Sequence, residues 1–388
     1  MSKFKIYVPV NRPSIGKEEK ALVNECLDSG WIGSEGSYVK KFENKFKKIV
    51  NRKFAISVAN GTAAIDIAIR ALNIKKNDEV IVPNFTIISC VNELVRVGAK
   101  PVFIDADIDT WNMKVSDIEK KITSKTKAII VSHIYGLPTD LNLILKIAKK
   151  KKLKVIEDGA ELLGQEYYKK PIGSFGDIST FSFYVNKHIT TGEGGMLVTN
   201  SKSIADRASK LRNICFNPKK QRFIHDEIGW NYRLSNIQSA IGFAQLFKLK
   251  RFIKKKREIG KFYNNEFKNI KSLKLPKEKT KYSKNIYWVY GILLKNKTLA
   301  NEFAKQLKKY GIQTRPFFCP MHLQPILKKN GIIDKKDKFP VSEYIFKRGL
   351  YIPSGIGTTN EELKYVSKII RKICPWQKVF QKAQNIMI

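Results

Sequence analysis

The chain has 388 residues, 43% of them hydrophobic, and a formal net charge of +39 from 73 basic and 34 acidic side chains. That length supports a large core and about two ordinary domains, while no run approaches the roughly 20 apolar residues of a membrane helix. Lysines spread over nearly the whole chain, densest at 149–152, 248–257, 277–284 and 335–338, which reads as solvated surface and not as a nucleic-acid footprint.

The opening Met1-Ser2-Lys3-Phe4-Lys5-Ile6-Tyr7-Val8 has no apolar run followed by small residues, so no secretory signal is expected. From residue 54, short β-rich apolar runs alternate with amphipathic stretches. The runs at 54–58, 80–82, 101–104, 128–131 and 155–156 read as buried parallel strands. Between them, 63–72, 87–97, 115–122 and 141–149 read as helices. This rhythm predicts an α/β fold with a mostly parallel sheet covered on both faces. Strand-like runs follow at 178–183 and 195–198.

After Leu234 the pattern changes to a long helical stretch reaching about Phe267, interrupted only by Gly242 and Gly260. A lysine-rich loop at 272–284 leads to a strand at 286–294, then helices at 299–310 and 361–373. The predicted division is a large α/β domain over 1–245 and a smaller α+β domain over 246–388. The five cysteines are scattered, with no C-x-x-C pair, which suits reduced thiols in a cytoplasmic protein better than disulfides or a metal site.

Ligands of open α/β sheets gather at the C-terminal ends of strands, and four motifs stand at such ends. Ala59-Asn60-Gly61-Thr62-Ala63-Ala64 follows a strand and opens a helix, which makes either a phosphate cradle or an ordinary cap. Val155-Ile156-Glu157-Asp158-Gly159-Ala160 drives an apolar strand into acids. A carboxylate there calls for a cation such as a pyridinium nitrogen, or else caps a helix. Ser179-Thr180-Phe181-Ser182-Phe183-Tyr184-Val185-Asn186-Lys187 ends on an isolated lysine before the glycine-rich Thr190-Thr191-Gly192-Glu193-Gly194-Gly195. Schiff-base chemistry needs a lysine on a firm, partly desolvated support. The glycine spacing does not match G-x-G-x-x-G, which excludes a dinucleotide fingerprint. Ile228-Gly229-Trp230-Asn231-Tyr232-Arg233-Leu234-Ser235-Asn236 is polar-aromatic and then helical, with Ser235 as a candidate cap.

Together these motifs resemble the DegT/StrS family of sugar aminotransferases, which belong to the fold-type I pyridoxal-phosphate enzymes. The resemblance runs from Trp31-Ile32-Gly33-Ser34-Glu35-Gly36 through Val82-Pro83-Asn84-Phe85-Thr86 and Ser132-His133-Ile134-Tyr135-Gly136. It continues to Thr314-Arg315-Pro316-Phe317-Phe318 and Tyr351-Ile352-Pro353-Ser354. The segment Phe181 to Gly195, and Phe223-Ile224-His225 with Ile228 to Arg233, are similar to the perosamine-synthase-like branch. That branch aminates C4 of nucleotide-linked 4-keto-6-deoxyhexoses. Gly159, the Leu162-Leu163 pair and Ile224 depart from the family pattern.

The resemblance implies a role for each matching residue. Lys187 would join the cofactor, pyridoxal 5′-phosphate, and then move a proton between substrate and cofactor carbons. Asp158 would pair with the pyridinium nitrogen, and Glu161 would lie near the ring's phenolic oxygen. Gly61, Thr62 and Ser182 would hold the phosphate, with Asn231 reaching over from a second subunit of a homodimer. Phe85 would stack on the ring, while Trp31, His133, Tyr135 and Arg315 would line the substrate pocket. L-glutamate would give the amino group and a nucleotide-linked keto-sugar would take it. The alternatives are a C-3 aminotransferase of the same family, or a non-enzymatic basic protein that binds nucleic acid or regulates. The family's dehydratases carry histidine in place of the lysine, and His188 is one residue too late.

Overall fold

Two helices, α1 (Lys17–Asp28) and α2 (Ser37–Ile49), precede the alternating part of the chain. There β1 (Phe54–Val58), α3 (Gly61–Ala71), β2 (Glu79–Pro83), α4 (Ser89–Arg96) and β3 (Lys100–Ile104) follow one another, then β4 (Thr126–Ser132), α5 (Leu141–Lys151) and β5 (Lys154–Asp158). A small hairpin, β6 (Glu166–Tyr167) and β7 (Lys170–Pro171), leads to β8 (Ile178–Ser182), β9 (Gly195–Thr199) and α6 (Lys202–Arg212). The computed structural model describes residues 6–374 except 217–220, 222, 226, 296–298 and 335. Residues 1–5 of the opening stretch and Lys335 of the last lysine run lie outside them.

The large sheet has the order β1-β9-β8-β5-β4-β2-β3. It is parallel except for β9, which pairs antiparallel with both β1 and β8. The run at 54–58 was expected inside the parallel set and instead forms the sheet's edge, across the reversed strand. Helices α3, α4 and α6 pack on one face of the sheet, and α2 and α5 on the other. α3 is buried on nearly all sides from Ala63 to Ile69, where a run that is apolar except for Asp66 gives it no wholly polar face.

The expected helix at 115–122 resolves into two short 3₁₀ turns, Val115–Asp117 and Glu119–Lys121. They close through i→i+3 bonds, Ile118 N–H to the Val115 carbonyl at 3.2 Å and Lys121 N–H to the Ile118 carbonyl at 3.0 Å.

The long helix α7 (Asn236–Phe267) opens on a capping box, in which Ser235 and Gln238 satisfy each other's backbone N–H groups. A second, four-stranded antiparallel sheet follows in the order β10-β11-β13-β12. It comprises β10 (Leu273–Lys274), β11 (Tyr290–Leu294), β12 (Arg315–Pro316) and β13 (Gly349–Ile352). Around it stand α8 (Ala300–Lys308), α10 (Pro340–Arg348) and α11 (Asn360–Ile373), whereas α9 (Pro325–Lys329) buries Leu327 in the core on the α3 side of the large sheet. β11 starts four residues later than the run at 286–294 suggested, because Tyr287 takes φ 49° and breaks the extended chain.

The division expected after residue 245 falls inside the unbroken α7. Residues at the chain's start also leave the large sheet. Val8 bridges to Ile312, and the Arg12 guanidinium pairs with Glu362 at 2.8 Å. An aromatic cluster of Phe85, Trp111, Tyr135, Trp288 and Phe317 fills the seam between the two sheets. Among the described residues no helix is long and apolar enough to cross a membrane.

Candidate active site

Strands β4, β5 and β8 end side by side, so register alone brings Ser132, Asp158 and Thr180 into one row. Asp158 is 3% exposed. One of its oxygens accepts from the Ser132 hydroxyl at 3.0 Å and the Cys90 thiol at 3.5 Å, the other from Ala160 N–H at 3.1 Å. These donors are all neutral, and a buried carboxylate served that way is suited to a cationic partner. Burial and the charge of Asp158 push the Cys90 thiol well above its ordinary pKa, so it stays protonated as a donor. No helix begins after Asp158, which removes the helix-cap reading of that residue.

Between β8 and β9 the chain makes a tight reversal. Lys187 lies in this reversal, five residues beyond the end of β8, and not on the strand itself. Its N–H donates to the Tyr184 carbonyl at 2.9 Å, and Tyr184 bridges to Gly192. The loop is pinned further by Phe183 N–H to the Gly194 carbonyl at 2.8 Å. The Lys187 amine projects over the Trp288 ring, 3.9 Å from its centroid. Burial holds that amine below the usual lysine range, against the opposing pull of Glu161 and then Asp158. Next in the chain, His188 is 2% exposed. Burial first, and the nearby Lys256 second, push its pKa down to about 3, so it is neutral.

Glu161 is buried and accepts Tyr135 N–H at 2.7 Å. Its carboxyl is pushed up to about 8, chiefly by burial and further by Asp158, with Lys187 pulling the other way. The same hydrogen bond secures Tyr135 at φ 54°, a left-handed conformation costly for a bulky residue.

The start of α3 faces the same row. Asn60 caps it by accepting Ala63 N–H at 2.8 Å, and first-turn N–H groups have no acceptor within a helix. Gly61 is required by crowding, since a Cβ there would stand 2.8 Å from the Ser182 Cβ. The Thr62 hydroxyl bonds that of Ser89 at 2.8 Å, and the Ser182 hydroxyl accepts Tyr184 N–H at 3.3 Å.

The remaining expected residues stand differently. His133 follows Ser132 and so points through the opposite face of the sheet, where it is fully buried against Glu157 at 3.4 Å and its Nδ1 accepts Thr139 N–H at 3.1 Å. It does not join the row. The Tyr135 ring is 1% exposed within the seam cluster, and its hydroxyl accepts Phe318 N–H at 3.1 Å. Phe85 lies in that cluster 6.0 Å from Tyr135.

Arg315 is exposed and borders a cleft of about 270 Å³ with Tyr184, Asn186, Trp288 and Tyr351. Asn231 is exposed and accepts from the Arg233 guanidinium at 2.9 Å. Trp31 is 62% exposed, with its carbonyl bound by Asn236. Ser132 and Thr180 stood within the quoted motifs without an assigned role, and Cys90 and Trp288 lay in none of them. Only strand register could have indicated the first two, and no local signal marks the others.

The cradle that a Cβ would fill and the cation-seeking Asp158, with a desolvated lysine nearby, fit pyridoxal 5′-phosphate. A mostly parallel sheet with this lysine loop at its strand ends defines a pyridoxal-phosphate-dependent aminotransferase. Residues 13–371 match the DegT/DnrJ/EryC1/StrS aminotransferase family, and the chain belongs to it. It is 45% identical to GDP-perosamine synthase of Escherichia coli O157:H7, over 94% of this chain and 98% of that protein. It is 38% identical to GDP-perosamine synthase of Vibrio cholerae, again over 94% and 98%. Among solved structures it resembles Helicobacter pylori PseC, an aminotransferase of pseudoaminic acid biosynthesis, with a TM-score of 0.89 and 26% identity over 95% and 99% of the two chains.

Proposed function

We propose that this aminotransferase moves an amino group from L-glutamate to C4 of a GDP-linked 4-keto-6-deoxyhexose, giving a perosamine-type product. The observation that carries the reading is the desolvated Lys187 amine beside the buried Asp158 and Glu161. The full-length similarity to the two GDP-perosamine synthases supports the choice of sugar.

Pyridoxal 5′-phosphate, when bound, supplies a ring that accepts electrons from the carbon losing its proton. In this reading the Asp158 carboxylate pairs with the ring nitrogen, held rigid by Ser132 and Ala160. Gly61, Thr62 and Ser182 hold the phosphate at the start of α3, where the helix dipole favours an anion. Glu161 would serve the phenolic oxygen, and Phe85, buried in the seam cluster, would back the ring. The Lys187 amine, whose hold on its proton is weakened by burial, carries the proton between the two carbons. Arg315, exposed at the cleft, pairs with the substrate carboxylate or diphosphate. Trp31 stays as a substrate contact in the assembled dimer, whereas His133 and the Tyr135 ring serve the core instead.

The test incubates the protein with L-glutamate and GDP-, UDP- and dTDP-linked 3-keto and 4-keto sugars, reading amination by mass spectrometry. Amination of the GDP-linked 4-keto-6-deoxyhexose, lost in Lys187→Ala, is the expected result. Turnover of a 3-keto sugar alone would replace C4 by C3. A Lys187→Ala variant that kept more than a few per cent of wild-type turnover would remove the lysine from its role.

A further inference from the structure

The Lys187 amine has a close aromatic neighbour that lies in none of the motifs. Trp288 presents its ring face, with Nζ 3.9 Å from the centroid. The ring is itself held firmly. Its Nε1–H donates to the carbonyl of Asn186, the residue before Lys187, at 3.0 Å. It stacks on Tyr135 with centroids 5.9 Å apart at 30° and is 4% exposed. Trp288 therefore meets the lysine twice, at the amine and at the backbone that carries it.

The acidic neighbours are committed elsewhere. Glu161 is bound to Tyr135 N–H, and Asp158 to Ser132, Cys90 and Ala160. They act on the amine through space, while the indole touches it. An ammonium among apolar groups is costly, and the negative face of an aromatic ring lowers that cost. Trp288 stands just ahead of β11, so an element of the smaller sheet seats the lysine of the larger one.

We propose that Trp288 is a positioning residue for Lys187, holding its amine against the indole face whenever Lys187 carries no covalent bond. The freed amine then stays in one place and can hold a proton there. The inference rests on the role of Lys187 given above.

The test uses the full-length protein saturated with pyridoxamine phosphate, in which Lys187 is a free amine. Amine-selective modification across pH, read by mass spectrometry of the Lys187 peptide, gives its titration midpoint. Fluorinated tryptophans weaken the ring's negative face at nearly constant size. They should move the midpoint down, by about half a pH unit for the most heavily fluorinated ring. In a Trp288→Phe background the same replacement should leave it unmoved. Trp288→Leu should lower kcat by about tenfold or more with KM changed less than about twofold, and Trp288→Phe should recover most of that loss. A midpoint indifferent to fluorination overturns the proposal, even where Trp288→Leu fails to fold. Protein that takes up no pyridoxamine phosphate would overturn the Lys187 reading as well, whereas normal uptake with a flat midpoint overturns this proposal alone.

Discussion

Asp158 and Asn differ by little in shape, yet the site gives them different work. The carboxylate is oriented by three neutral donors, so none of them neutralises its charge, which suits it to a ring nitrogen. Asp158→Asn should leave the melting temperature nearly unchanged and lower turnover at least about 100-fold. Paired thermal scans and steady-state rates check this, and a normal rate would reduce Asp158 to a structural acceptor. Asp158 stood out because an apolar strand runs into two acids, and Lys187 because it is an isolated cation after a hydroxyl-rich strand and before a glycine-rich loop. Trp288 did not, since a contact across 101 residues leaves no local pattern. His133 misled for a simpler reason. Neighbouring residues at a strand end face opposite sides of the sheet, and the Ser132–Asp158 pair uses the functional side.

Helices α3 and α4 meet through a buried charge cluster. Asp66 on α3 is 1% exposed and faces Glu93 and Arg96 of α4, with Arg96 3.4 Å away. Its carboxyl is pushed up to about 6, mainly by burial and then by Glu93, with Arg96, Tyr232 and Arg70 opposing. Between 3.8 and about 6 the folded protein therefore keeps a proton that the unfolded chain has released. Stability from this group is full at low pH and declines as pH rises through that window. Asp66→Asn keeps the volume and cannot ionise. Its melting temperature relative to wild type should climb between pH 4 and 7, as thermal scans across that range would record. A constant difference would mean that Asp66 ionises as freely as in the unfolded chain.

At this scale the residue ranges of the seven large-sheet strands were largely readable, since buried strands are short apolar runs. Their directions were less so. A strand buried on both faces looks the same whichever way it runs, and nothing in the run at 195–198 marks β9 as antiparallel to β8. The smaller sheet was harder still, with two of its four strands only two residues long.

The molecule as a whole carries its charge of +39 with several lysines in structural posts. Lys248, from a run expected to be solvated, pairs with Glu18 at 2.7 Å and Glu19 at 2.6 Å. Lys256 from the same run is buried on Ser354, with its pKa pushed down to about 7 by burial. Trp31, Ile224 and Ile228 are large apolar side chains left exposed. If the protein is a homodimer whose subunits share sites, Asn231 would complete the partner subunit's phosphate site. Mixing inactive Lys187→Ala and Asn231→Asp proteins under subunit exchange should then restore about a quarter of wild-type activity, half the sites in half the dimers. Shuffled dimers that stay inactive would return Asn231 to its own subunit.

The unbroken α7 has a consequence for anyone who would recombine this protein with its relatives. At 1.5 Å per residue its 32 residues form a strut of about 48 Å. One end reaches the glycine loop, where Gln238 donates to the Glu193 carbonyl at 3.0 Å. The other end packs Tyr263 and Phe267 against Tyr290 of the smaller sheet. A chimera spliced near residue 245 would join two half-helices bred for different partners and misalign both ends at once. The earlier part of the strut is buried in the large sheet's core through Leu246, Leu249, Phe252 and Ile253, while Tyr263 and Phe267 are buried with the smaller sheet, so α7 belongs to both parts and should be exchanged only together with both.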